Sequence, residues 1–320
     1  MRYGVLTLLV VVGVLAGCVA VTPPTQEPGA PPVVRYINFK VYDPVYVAID
    51  QGFCAERGID VQIVGDAIAG PNAIQAVAAG QAEAGLSSVP ALVNANAAGL
   101  PVQGVIDIQT TLQGQPLQRW FVLNDSPLQS LADVAGARYA VNIWRSSFHY
   151  TTLAALAEAG VDENLVDFQL LSFADQIPAL MSGEIDVAGL IPPYQGFLLD
   201  EYGGQVRELW NDYDFYGEKH VSLIFLNRLW AQYNPVQAEA FVSCVRDAIE
   251  WTEANQAEAA AIVSSYTGIP ADAIGEYHFT PGGAVRMPDV QWWIDYLRTR
   301  GDLTADWVQP GDVATDKYNQ

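Results

Sequence analysis

Two blocks of the chain carry apolar and polar positions in the same order. Each opens on a β-branched and aromatic run, residues 33–41 and 137–143. A helical stretch follows in each, closing on Ala-Glu-x-Gly at 55–58 and 157–160, where the glycine suits a left-handed helix cap. Next come a short apolar run (61–64; 168–171), a helix ending at Gly80 or Gly183, and a third apolar run (82–86; 185–190). Short apolar runs alternating with helices predict an α/β fold whose parallel sheets are covered on both faces.

The blocks also match residue by residue. "AIQAVAAGQAEAGLSSVP" (73–90) aligns without a gap on "QIPALMSGEIDVAGLIPP" (176–193), so that Gly80 meets Gly183 and Glu83 meets Asp186 at an offset of 103. Arg35-Tyr36 and Arg138-Tyr139 share that offset, and "AERGID" (55–60) pairs with "AEAGVD" (157–162) at 102. Recurrence in one order at one spacing predicts two lobes on one plan. "LQRWFVLNDS" (117–126) reads as a strand leaving the first lobe and "HVSLIFLNR" (220–228) as the return. The expected lobes are therefore 35–122 with 222–320, and 123–221. Two crossings make a hinge for a clamshell. Ligands of such sheets collect beyond strand carboxyl ends, which directs attention to loops 40–44, 65–72, 87–90, 144–148, 172–176 and 191–195.

The first residues change the picture. Gly4–Gly17 is uncharged, follows Arg2 and is shorter than the roughly 20 residues of a spanning helix; a span continuing to Val21 is the alternative. It reads as a signal peptide over 1–17, and Leu15-Ala16-Gly17-Cys18 resembles the lipobox of bacterial lipoproteins, in which the cysteine is acylated. Five prolines within 18–34 then predict an extended tether. The expected location is the extracytoplasmic face of a cell membrane, held there through Cys18.

Without residues 1–17 the chain keeps 14 basic against 36 acidic side chains, a net charge of −22. That argues against nucleic acid or an anionic membrane surface as partner. His149, His220 and His278 are scattered without ligand spacing, so no metal or other cofactor is expected. Cys54 and Cys244 sit in helical-looking segments, where two buried, unpaired thiols are the plainer expectation, although a disulfide is permitted outside the cytoplasm.

"DPVYVAIDQGFCAERGIDVQIV" (43–64), "AVAAGQAEAGLSSVPAL" (76–92), "PLQSLADVAGARYAV" (127–141) and "ALMSGEIDVAGLIPPY" (179–194) are similar, in order and spacing, to substrate-binding proteins of the nitrate, sulfonate and taurine importer class, including the NMT1/THI5-like group. The resemblance implies a two-lobed periplasmic-binding-protein fold, type II, with a ligand cleft between lobes. It also implies a monomer that delivers a small molecule to an ABC permease. Within the class, riboflavin is the expected ligand and the pyrimidine precursor of thiamine the second choice, with a sulfonate or taurine-type anion as the alternative. A THI5-like pyrimidine-synthesising enzyme is the alternative of another class. It fits poorly with few lysines and a lipobox, and "GLSSVP" (85–90) lacks the glycine of a nucleophile elbow.

On the candidate loops, Asp43-Pro44 is a good helix start, and Tyr42 before it is a candidate contact. Ser146 or Ser147 would cap the next lobe's helix, with Trp144 at the strand end and Tyr194 after Pro192-Pro193. Tyr42, Trp144 and Tyr194 are expected to form an aromatic slot for a flat ring, with Asn72, Ser87, Ser88 and Asn142 as neutral hydrogen-bonding partners and Asp43, Ser146 and Ser147 as further ligand contacts.

Overall fold

The computed structural model describes residues 29–319. Cys18, the signal segment and the first part of the tether lie outside them. Pro31 onward forms one compact unit.

In chain order the first block supplies β1 (Val33–Asn38), α1 (Pro44–Asp50), α2 (Phe53–Glu56), β2 (Asp60–Asp66), α3 (Gly70–Ala78), β3 (Ala84–Ser88), α4 (Val89–Ala97) and β4 (Val102–Thr111). The second supplies β5 (Arg119–Leu123), β6 (Arg138–Val141), α5 (Ser147–Glu158), β7 (Asp167–Leu170), α6 (Phe173–Met181), β8 (Ala188–Leu190), α7 (Tyr194–Tyr202), β9 (Val206–Asn211) and α8 (Asp212–Tyr216). The chain ends with β10 (Lys219–Asn227), α9 (Arg228–Tyr233), α10 (Pro235–Ala254), α11 (Gln256–Thr267), α12 (Ala271–Ile274), α13 (Met287–Arg300) and α14 (Pro310–Val313).

One sheet has the order β2-β1-β3-β10-β4, with β10 antiparallel to both neighbours. The other strands form β8-β5-β9 and β6-β7, joined by a parallel bridge between Tyr139 and Val187. Read across that bridge, β7-β6-β8-β5-β9 repeats the first order, with β5 in the place of β10. Side chains mark the equivalence as well. The Arg35 N–H donates to Glu83 Oε2 at 2.7 Å while its guanidinium pairs with the same carboxylate. Arg138 does the same with Asp186, at 2.8 Å from N–H to Oδ2 and 2.6 Å from Nη2 to Oδ1. Each arginine thereby clamps the first strand of its sheet to the start of the third. Gly80 and Gly183 end the equivalent helices with φ of 74° and 72°, a conformation that costs a glycine nothing.

The pairing of β5 with β8 and β9 makes the chain cross between sheets over residues 112–118, ahead of the expected bound at 122. It crosses back over 212–218, ahead of 221. Asp212 ties the two crossings together: its Oδ1 accepts from Thr111 Oγ1 at 2.8 Å and its N–H donates to Gln118 O at 2.9 Å.

The expectation of two unpaired thiols is overturned. Cys54 and Cys244 form a disulfide with Sγ atoms 2.02 Å and Cα atoms 4.9 Å apart. Packing of α2 on α10 brings them together across 190 residues of chain.

Candidate functional site

Strand carboxyl ends and helix starts of the two sheets meet around a small cavity of ≈ 20 Å³, about the space of one or two waters. Phe39 after β1, Gly70 and Pro71 at the start of α3, and Ser88 at the end of β3 line it from one side. Asn142 after β6, Ser146 and Ser147 at the start of α5, Phe173 and Ile191 line it from the other. Gln109 of β4 and Gln118 of the crossing chain form part of the wall, and no lining side chain is charged.

Four helices, α3, α4, α5 and α6, begin at this cavity. α5 is capped by Ser146, whose Oγ accepts from the His149 N–H at 3.2 Å and lies 2.9 Å from Asn142 Oδ1. α3 and α4 have no side-chain cap, so their first N–H groups depend on other acceptors. Aligned peptide dipoles give each start a partial positive charge. The approach of α3 to β3 needs Gly70: a Cβ there would lie 2.3 Å from Ser87 Oγ and 2.9 Å from Ser87 Cα.

Polar atoms around the cavity remain unpaired. Gln118 Nε2 donates to Ser147 Oγ at 3.0 Å, but Gln118 Oε1, Gln109 Nε2, Ser88 Oγ and Ser87 Oγ are buried without a hydrogen-bond partner. Such groups cost about 1–3 kcal/mol each when left unsatisfied, so a ligand that satisfies them gains by doing so.

Of the residues expected from the sequence, Ser88, Asn142, Ser146 and Ser147 share this lining. Ser87 lies directly behind it, fully buried, and Asn72 is exposed on the first turn of α3. The expected aromatic slot is not assembled. Tyr42 is fully buried, stacked on Tyr277 with centroids 4.5 Å apart and edge-on to Phe279 at 5.7 Å; rings delivered by the last third of the chain absorb it into the core. Trp144 stands 45% exposed at the rim, edge-on to His149 and Phe168. Tyr194 packs against Phe173, and its hydroxyl donates to Lys40 O at 3.1 Å, a bond from the second half's α7 to the loop after β1. Asp43 caps α1, with Oδ1 accepting from the Val45 N–H at 3.0 Å and Oδ2 from the Tyr36 hydroxyl at 2.6 Å. Burial pushes its pKa up to about 6, against the pull of those two bonds.

Gln109, Gln118, Phe39 and Phe173 did not stand out in the sequence. A glutamine inside the apolar run "VIDIQTT" (105–111) of a buried strand is the one signal available for Gln109. Nearby, burial and the Arg300 cation lower the His149 pKa to about 4, so the imidazole is neutral at physiological pH.

A model of the family described as NMT1/THI5 like matches residues 40–259. A curated protein of Escherichia coli (strain K12), named for binding aliphatic sulfonates, is 25% identical over 156 residues, 49% of this chain and 47% of its own. The chain thus spans about half the length of the curated relative it matches. Among solved structures, the alkanesulfonate-binding protein SsuA from Xanthomonas axonopodis pv. citri bound to MOPS superposes with a TM-score of 0.74 at 18% identity, covering 90% of this chain and 99% of that one. The periplasmic aliphatic sulphonate binding protein SsuA from Escherichia coli gives 0.71 at 21%, covering 88% and 96%. These likenesses establish the two-lobed periplasmic-binding-protein fold.

Proposed function

The chain belongs to the NMT1/THI5-like family, and on that premise we propose that it is the extracytoplasmic substrate-binding protein of an ABC importer, carrying a small organic sulfonate between its lobes. The observation that carries this reading is the convergence of the α3, α4 and α5 starts on a cavity lined by neutral hydroxyls and amides, with no carboxylate among them. Helix starts favour anions. The net charge of −22 opposes an anion only at long range, since screening at physiological salt acts over about 8 Å. The sulfonates in the names of the relatives agree with the chemistry of the donors. A cavity of ≈ 20 Å³ suits a compact head group rather than a fused ring system.

A neutral planar heteroaromatic, riboflavin or the thiamine pyrimidine precursor, is the second reading. It is favoured by Phe39, Phe148 and Phe173 in the same lining, which offer ring faces where the expected Tyr42–Trp144–Tyr194 slot does not. Titration separates the two. Methanesulfonate at about 100 times its Kd should stabilise the protein by about 2.7 kcal/mol in thermal melts, while riboflavin fluorescence stays unquenched. Quenched flavin with no response to any sulfonate would overturn the first reading in favour of the second.

A further inference from the structure

Beyond Pro71 the head-group cavity adjoins a larger hollow of ≈ 230 Å³. Pro71 lines both. One wall of the hollow is apolar, built from Ile74 of α3, Ala91 and Ala95 of α4, and Ala98 just after it. The opposite wall is Trp144 and Arg145, from the loop between β6 and α5. The hollow thus lies between elements of the two sheets, and no carboxylate lines it.

Arg145 is held there by an uncommon backbone. Its φ is 63°, in the left-handed region that non-glycine residues seldom adopt, and its N–H donates to His149 Nδ1 at 3.3 Å. It forms no ion pair among the described residues, although the chain carries 36 acidic side chains. Asn94 lines the same hollow, and its Nδ2 is buried without a hydrogen-bond partner. A hollow with an apolar wall on one side and, facing it, a cation without an ion pair, together with an unpaired buried amide, suits a short chain that carries an acceptor.

We propose that this hollow is a tail subsite, and that the carried ligand is a sulfonate bearing an alkyl or aryl tail of a few carbons with an anionic or strongly accepting terminal group, received by Arg145. The proposal rests on the sulfonate reading of the head-group cavity. The two compartments divide the recognition. The helix starts hold the head through dipoles, α4 and Trp144 cover the tail, and Arg145 selects its end.

Methanesulfonate, butane-1-sulfonate and 4-sulfobutanoate test this on the full chain by isothermal titration. The wild type should bind all three, with affinity rising by about fourfold per methylene that becomes buried and by roughly a further fivefold to tenfold for the distal carboxylate. Arg145→Asn, chosen because asparagine tolerates positive φ, should abolish only the carboxylate gain. Ala98→Phe, at an exposed alanine, should fill the hollow and abolish the gain from both tails. Methanesulfonate affinity should be the same in all three proteins. Equal affinity for the three ligands, or loss of methanesulfonate binding in step with the others in both variants, would overturn the tail subsite while leaving the head-group reading in place. Failure of the wild type to bind methanesulfonate at all would remove both.

Discussion

At the scale of single residues, the fold holds buried groups whose environment works against their ionisation. Asp212, linking the two crossings, is pushed up to about 7 by burial, with the Thr111 hydroxyl and backbone N–H groups pulling the other way. Its folded pKa lies above the ordinary carboxylate value, so the folded state binds the proton more tightly. The resulting stabilisation is full below about pH 4 and is lost as pH rises to about 7. Asp43 contributes in the same direction up to about pH 6. His149, lowered to about 4, acts oppositely: its contribution is present above about pH 6.5 and is lost as pH falls to about 4. Asp212→Asn keeps the side-chain shape and removes one titration. Its stability relative to wild type should rise between pH 4.5 and 7.5 by about 2–4 kcal/mol, on top of a constant offset. Melting curves of both proteins across that range check this, and a difference independent of pH would show that the Asp212 carboxylate is not penalised.

At the scale of elements, local signals place the helices and long-range contacts decide what they touch. Asp43 and Pro44 begin α1 by capping chemistry alone. The contact of α7 with α12, between the helices of the second sheet and those packed around the first, has no such local signature. It relies on Gly196, where a Cβ would lie 2.2 Å from Ala273 O and 2.8 Å from Ile274 O. Together with the Tyr194 to Lys40 bond it holds the two halves together along one side. Gly196→Ala should prise that side apart. The protein should keep its circular dichroism spectrum but show a larger radius of gyration in solution scattering with methanesulfonate present. Its affinity should fall by about tenfold, because the apparent Kd rises as the closed fraction falls. Unchanged affinity would mean that the α7–α12 contact plays no part in closure.

At the scale of the molecule, the compact body from Pro31 onward is preceded in sequence by the apolar run 4–17 and a proline-rich stretch. Among the described residues no helix is long and apolar enough to cross a membrane. The disulfide between Cys54 and Cys244 suits an oxidising compartment, where a cross-link over so long a loop adds about 2–5 kcal/mol. Membrane attachment of such a body is proposed to come from acylation of Cys18, on the strength of Leu15-Ala16-Gly17-Cys18. Cys18→Ser should leave the melting curve of the folded body unchanged and move the protein from the membrane fraction to the soluble one. A variant that still sediments with membranes would remove the anchor.

The sequence by itself determined what repeats and what lies near in the chain. The offset of 103 foretold the equivalence of Arg35–Glu83 and Arg138–Asp186, and the cap chemistry of Asp43, Ser146, Gly80 and Gly183 was legible because it acts within a turn of its own residue. The same nearness placed Ser88, Asn142, Ser146 and Ser147 beside the cavity, because they stand at strand ends or helix starts whose position follows from the α/β order. Only the tertiary structure decided the fate of the aromatics. Tyr42 is an exposed-loop candidate until Tyr277 and Phe279 arrive from the other end of the chain to cover it. The disulfide, the Gln109–Gln118 wall and the hollow behind Trp144 are likewise products of packing between distant segments. Capping and periodicity act between near neighbours and leave a mark at fixed spacing, whereas burial depends on which remote side chain fills a given space, and that is settled only when all the elements have packed.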